Sequence, residues 1–110
     1  MMKAEVNIQA GICNFRTKAI ATSDDEQFVT IKIKSDCDKI IELAKTIEQK
    51  NPLDSYQELL ESQILRVAAG QLKGGCAACL VPTSIFKAMQ VAARLSLLKD
   101  IEIKIQRVQN

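Results

Sequence analysis

The sequence predicts one α+β domain over residues 1–110, a two-layer arrangement in which an antiparallel or mixed sheet is covered on one face by helices. Three observations predict it. The first third of the chain alternates apolar and polar residues with period two, as half-buried strands do. From Ser35 onward the apolar residues recur at helical spacing instead. Residues 100–108 then return to period two. The expected order is β-β-β-α-α-α-β.

Each element follows from its own pattern. Residues 3–10 put Ala4, Val6, Ile8 and Ala10 on one side and Lys3, Glu5, Asn7 and Gln9 on the other. Gly11 breaks that strand, Cys13 and Asn14 form a turn, and residues 15–22 resume a weaker alternation. Ser23, Asp24, Asp25 and Glu26 supply a polar turn before residues 27–34, where Val29, Ile31 and Ile33 face one way. Three strands with short links read as an antiparallel meander. Ser35-Asp36-Cys37-Asp38 resembles a helix N-cap with an acidic third position, and Ile40, Ala44 and Ile47, flanked by Ile41 and Leu43, mark the buried side as far as Asn51-Pro52. Ser55 with Glu58 repeats the capping pattern before a second helix, whose stripe is Leu59 or Leu60, Ile64, Val67 and Ala68, ending near Gly70. A third helix opens at Pro82, with Ile85, Ala88 or Met89, Ala92 and Leu95 inward. The closing strand, Asp100–Val108, turns Ile101, Ile103 and Ile105 inward.

Composition narrows the function. Of 110 residues, 47% are apolar and 25% charged, which fits a globular chain and excludes disorder. No apolar run is long enough for a membrane-spanning helix, and MMKAEV has no apolar core with a cleavage site behind it. A cytoplasmic protein with no membrane partner is expected. A net charge of +2 and only Phe15, Phe28, Tyr56 and Phe86 as aromatics argue against a nucleic-acid platform. There is no histidine, which removes Ser-His-Asp and Cys-His catalysis and every histidine-based metal motif. Any chemistry runs on thiols or carboxylates.

The thiols are the stronger signal. Cys13 follows the first strand, Cys37 opens the first helix, and Cys76 and Cys79 form a C-x-x-C before the third helix. All four sit where strands end or helices begin, so one edge of the sheet could gather them into a Cys₄ site. Thiolates are the ligating form of cysteine, and helix N-termini favour them. Ala77 and Ala78, after Gly74 and Gly75, leave room for a cofactor. Four sulfurs suit Zn²⁺, a mononuclear iron, or a [2Fe–2S] or [4Fe–4S] cluster. Two other readings stay open: thiol–disulfide exchange at Cys76-Ala77-Ala78-Cys79, and a structural or interaction module whose cysteines are small buried hydrophobes.

The order of Cys13 after strand one, Cys37 after strand three at a helix start, and a cysteine before a late helix resembles the U-type (IscU/NifU-like) iron–sulfur cluster scaffold proteins. In that family three antiparallel strands precede helices, and cysteines at these places hold a nascent [2Fe–2S] cluster. The gaps of 24 residues from Cys13 to Cys37, and of 39 or 42 onward to Cys76 or Cys79, are similar to the family's. The resemblance implies a cluster scaffold or carrier with donor or acceptor protein partners, and no need of catalytic turnover. Asn14 and Phe15 stand near where the family has an acidic residue, and no histidine stands beside the third cysteine. A fourth cysteine implies a more permanently held metal. The segments A-G-I-C, S-D-C and C-x-x-C-x-V-P also resemble a small uncharacterised four-cysteine family of strict anaerobes.

The remaining candidates read as structure. Asp24-Asp25-Glu26 is a solvated turn, Asp36 and Asp38 suit a helix N-terminus, and Gly70-x-x-x-Gly74-Gly75 lacks the Lys-Ser/Thr of a phosphate loop. Arg16, Lys39 and Lys73 lie near the cysteines and could offset the formal −2 that four thiolates leave around Zn²⁺. The closing strand, placed at a sheet edge, could pair with a second copy to give a homodimer.

Overall fold

A computed structural model describes residues 2–9, 13–72 and 79–109. Four antiparallel strands form one sheet in the order β1 (Met2–Gln9), β2 (Arg16–Ser23), β3 (Phe28–Ser35) and β4 (Leu53–Asp54). Among the described residues, four helices complete the order β-β-β-α-β-α-α-α: α1 (Asp38–Glu48), α2 (Ser55–Leu60), α3 (Gln63–Gln71) and α4 (Val81–Ala92). The α+β class and the three-strand meander are as the alternation predicts. Among the described residues, no helix is long and apolar enough to cross a membrane.

Register explains the inner face of the sheet. Met2 pairs with Ser23 through to Gln9 with Arg16, and Thr17 pairs with Ser35 through to Thr22 with Thr30. Val6, Ala19 and Ile33 thus share one inward row, and Ala4, Ala21 and Ile31 another. The alanines in the central strand are almost fully buried, which lets α4 lie close across β1 and β2. The helix α1 covers β3, and Ile40, Leu43, Ala44 and Ile47 fill the space beneath it. Burial of these apolar groups is the main stabilising term, at about 25 cal/mol per Å² of apolar surface.

The β2–β3 turn is built by its acids. The Asp25 carboxylate accepts the backbone N–H groups of Gln27 (3.0 Å) and Phe28 (2.9 Å), and these bonds hold its pKa below the ordinary aspartate value. Ser23 Oγ accepts from the Glu26 N–H. The second strand connection is also side-chain made: Asn51 accepts the Ile31 N–H and donates to the Ile31 carbonyl, continuing the β3 edge before β4. A two-residue strand has no alternation to detect, so the sequence does not reveal β4.

Two expectations are corrected. The predicted second helix, from Ser55 to Gly70, is two helices. The N-cap of α2 is Asp54, which accepts from the Tyr56 and Gln57 N–H groups. Glu58 does not serve a capping box with Ser55. It is buried and accepts the N–H groups of Gln63 and Ile64 and the hydroxyl of Ser62, the residue that caps α3. That carboxylate stabilises a new helix start, and Leu60 is left 83% exposed rather than in a buried stripe.

The second correction is the closing strand. Residues 97–109 carry no strand or helix, and Ile101, Ile103 and Ile105 are exposed. Alternation makes a segment able to pair, but a strand exists only when a neighbour accepts its backbone hydrogen bonds. No backbone bond outside helices and strands involves residues 96–109 among those described.

Candidate metal centre

The site is assembled by the register of the meander. Gln9 pairs with Arg16 at one end of the β1–β2 ladder, and Thr17 pairs with Ser35 at the same end of the β2–β3 ladder. Cys13 lies in the link just before Arg16, exposed, and the next residue, Asn14, adopts a left-handed φ of 58° while accepting from the Gln9 side chain at 2.8 Å. Cys37 lies two residues beyond Ser35. These two thiols, 24 residues apart in sequence, therefore share one end of the sheet.

Cys37 is itself the N-cap of α1, with no side-chain cap bond. Its carbonyl accepts the Ile41 N–H, and its own N–H donates to Ser35 Oγ at 3.1 Å. Ser35 Oγ also bonds Thr17 Oγ1 at 2.8 Å, on a nearly buried threonine. Asp36 N–H donates to the Arg16 carbonyl at 3.1 Å. This polar row fixes the backbone on which Cys37 is carried, and leaves its sulfur uncommitted as a cap. The sequence motif makes Ser35 part of a helix N-cap, but the cap position falls on Cys37, and Ser35 Oγ serves Thr17 and the Cys37 N–H instead. The available signal was parity, since Thr17 and Ser35 both fall on the inward positions of their strands.

The third thiol is located by helix direction. Arg94, just past α4, pairs with Glu26 in the β2–β3 turn at 3.1 Å, fixing the C-terminus of α4 at that end of the sheet. The twelve residues of α4 run about 18 Å, against about 26 Å for an eight-residue strand. The N-terminus of α4 consequently points to the opposite end, where Cys13 and Cys37 are. Cys79 precedes α4 by two residues and packs half-buried on the core, as does Cys37. Both α1 and α4 turn the positive ends of their dipoles to this end.

Cys13, Cys37 and Cys79 are free thiols. The fourth expected ligand, Cys76, lies outside the described residues, as do Lys73 and the glycine pair before it. Among the described residues, no three Cys, Asp or Glu side chains stand close enough to hold a metal ion together. One end of the sheet is shared, but a closed coordination shell is not. The donor set still suits Zn²⁺ or an iron–sulfur cluster chemically, because its thiols are soft ligands and none is consumed in a disulfide among the described residues. On the outer sheet face at this end, Arg16, Lys18 and Lys34 line an open cleft of about 630 Å³, with Asp36 as its one acid.

A family description matches residues 4–105, which take in all four cysteines. The chain belongs to DUF6951, a family of unknown function. No curated protein and no solved structure matches it. The family match of this DUF6951 chain runs through Ile105, so the segment after α4 belongs to the family's own span.

Proposed function

We propose that this DUF6951 protein is a four-cysteine metal-binding protein, related to the U-type (IscU/NifU-like) scaffolds, that holds Zn²⁺ or an iron–sulfur cluster through Cys13, Cys37, Cys76 and Cys79. The observation that carries the reading is that Cys13, Cys37 and Cys79, distant in sequence, share one end of the sheet. Cys76 is three residues from Cys79 and joins the set through the C-x-x-C. On this reading the metal draws the thiols into one shell, and ligand binding is coupled to local closure. The bound metal or cluster is stored or delivered to a protein acceptor in the cytoplasm, without turnover.

The test is metal analysis and visible absorbance of protein purified anaerobically, for the wild type and each Cys→Ser variant. The expected result is near-stoichiometric zinc or iron with sulfide, reduced in every variant. Sub-stoichiometric metal that no cysteine substitution lowers would reject the reading. Reversible Cys76–Cys79 oxidation, indifferent to Cys13→Ser, would instead support thiol–disulfide exchange.

A further inference from the structure

The sheet ends at β1, whose far edge has no strand beside it among the described residues. An unpaired edge offers a row of free backbone N–H and C=O groups to any extended segment. The same chain carries a segment with the alternation of a strand after α4, with exposed Ile101, Ile103 and Ile105 alternating with Glu102, Lys104 and Gln106. Leu97, Leu98 and Val108 add to its exposed apolar surface. Apolar groups at this density are unusual on a lone domain.

The chain's own edge is a poor partner for this tail. Arg94 fixes the C-terminus of α4 at the β2–β3 turn, beside the start of β1, so within one copy the tail runs along β1 in the same direction. In that direction, setting Ile101 inward beside Ala4 or Val6, as the tail's place along β1 requires, puts Glu102 or Asp100 beside Glu5, and like charges on facing strands repel. The cleft of about 600 Å³ between β1, α4 and the tail is lined by the tail only as far as Ile103. Ile105, beyond it, is 92% exposed.

An antiparallel strand from a second copy removes both defects. With Ala4 opposite Ile105, Val6 falls opposite Ile103 and Ile8 opposite Ile101, so every inward position is apolar. The same register sets Glu5 opposite Lys104, opposite charges on the solvent face. Glu5 already holds Lys18 at 3.3 Å, and Lys104 would extend that pair across the new edge. We propose that two copies exchange tails reciprocally, each adding residues 101–105 as a fifth strand on β1 of the other. The contact is isologous and closes as a two-fold dimer.

The experiment uses the full chain at native length. Light scattering after size exclusion should give about twice 12.2 kDa, and the full-length variant Ile103→Glu should give the monomer mass with unchanged circular dichroism. Zero-length carbodiimide coupling of a mixed light and heavy-isotope sample should join Glu5 to Lys104 in peptides pairing one light and one heavy strand. A monomeric wild type, a Glu5–Lys104 link found only within one copy, or a dimer that survives Ile103→Glu would each overturn the proposal.

Discussion

Replacing Glu58 with alanine tests the break between α2 and α3. The carboxylate is 2% exposed and accepts three hydrogen bonds: Gln63 N–H at 2.7 Å, Ile64 N–H at 3.2 Å and Ser62 Oγ at 3.1 Å. Truncation strands two backbone donors beside Ile64, which is fully buried, and each unsatisfied buried donor costs about 1–3 kcal/mol. Two such donors sum to about 2–6 kcal/mol, and a total loss of about 3–5 kcal/mol follows, short of the upper end because water can reach Gln63. For a domain of this length that lowers the melting temperature by about 12–20 °C. Urea unfolding followed by far-ultraviolet circular dichroism measures it, and Glu58→Gln, which keeps one acceptor oxygen, should lose less. A loss below about 1 kcal/mol for Glu58→Ala would refute the capping account. Leu60→Ala is the companion variant: an exposed Leu60 predicts a change within about 0.5 kcal/mol, whereas a continuous helix burying it predicts about 2–5 kcal/mol.

Other outcomes follow from the same structure. Gly70→Ala should raise stability by about 0.5–1 kcal/mol, because Gly70 lies within α3 and an added Cβ meets nothing within 4 Å; thermal melting checks it. Ser35→Ala should cost about 1–2 kcal/mol by removing the partner of Thr17 Oγ1 and of the Cys37 N–H, and should weaken metal binding with it, as read by competition against a chelator. Asp25 has a lowered folded-state pKa, so its contribution is present above the unfolded carboxyl pKa and is lost as pH falls through the folded value. Asp25→Asn should therefore destabilise at neutral pH and flatten the acid limb of a stability–pH curve.

The parts of this fold that were legible in the sequence are those written in periodicity. Val29, Ile31 and Ile33 announce a strand, and Ile40, Ala44 and Ile47 a helix face, because burial repeats every two or 3.6 residues. The parts that misled depend on a partner elsewhere. Ile101, Ile103 and Ile105 have perfect alternation yet no ladder among the described residues, and Leu60 has helical spacing but sits where Glu58 starts a new helix. The Asp54 cap and the Asn51 side-chain bonds to Ile31 are single residues with no period, so β4 and the break between α2 and α3 were not visible, although a helix opening at Ser55 was. At the candidate site, the positions of Cys13, Cys37 and Cys79 at strand ends and helix starts were readable from sequence. Their common end of the sheet needed the register and the Arg94–Glu26 pair.

The central claim is that sulfur from four cysteines surrounds one metal. X-ray absorption at the zinc edge of zinc-loaded protein tests it most directly. The account predicts about four sulfur neighbours at ~2.3 Å, with one sulfur replaced by a lighter ligand in each of Cys13→Ser, Cys37→Ser, Cys76→Ser and Cys79→Ser. A first shell of oxygen or nitrogen atoms in the wild type, or one indifferent to these substitutions, would contradict it.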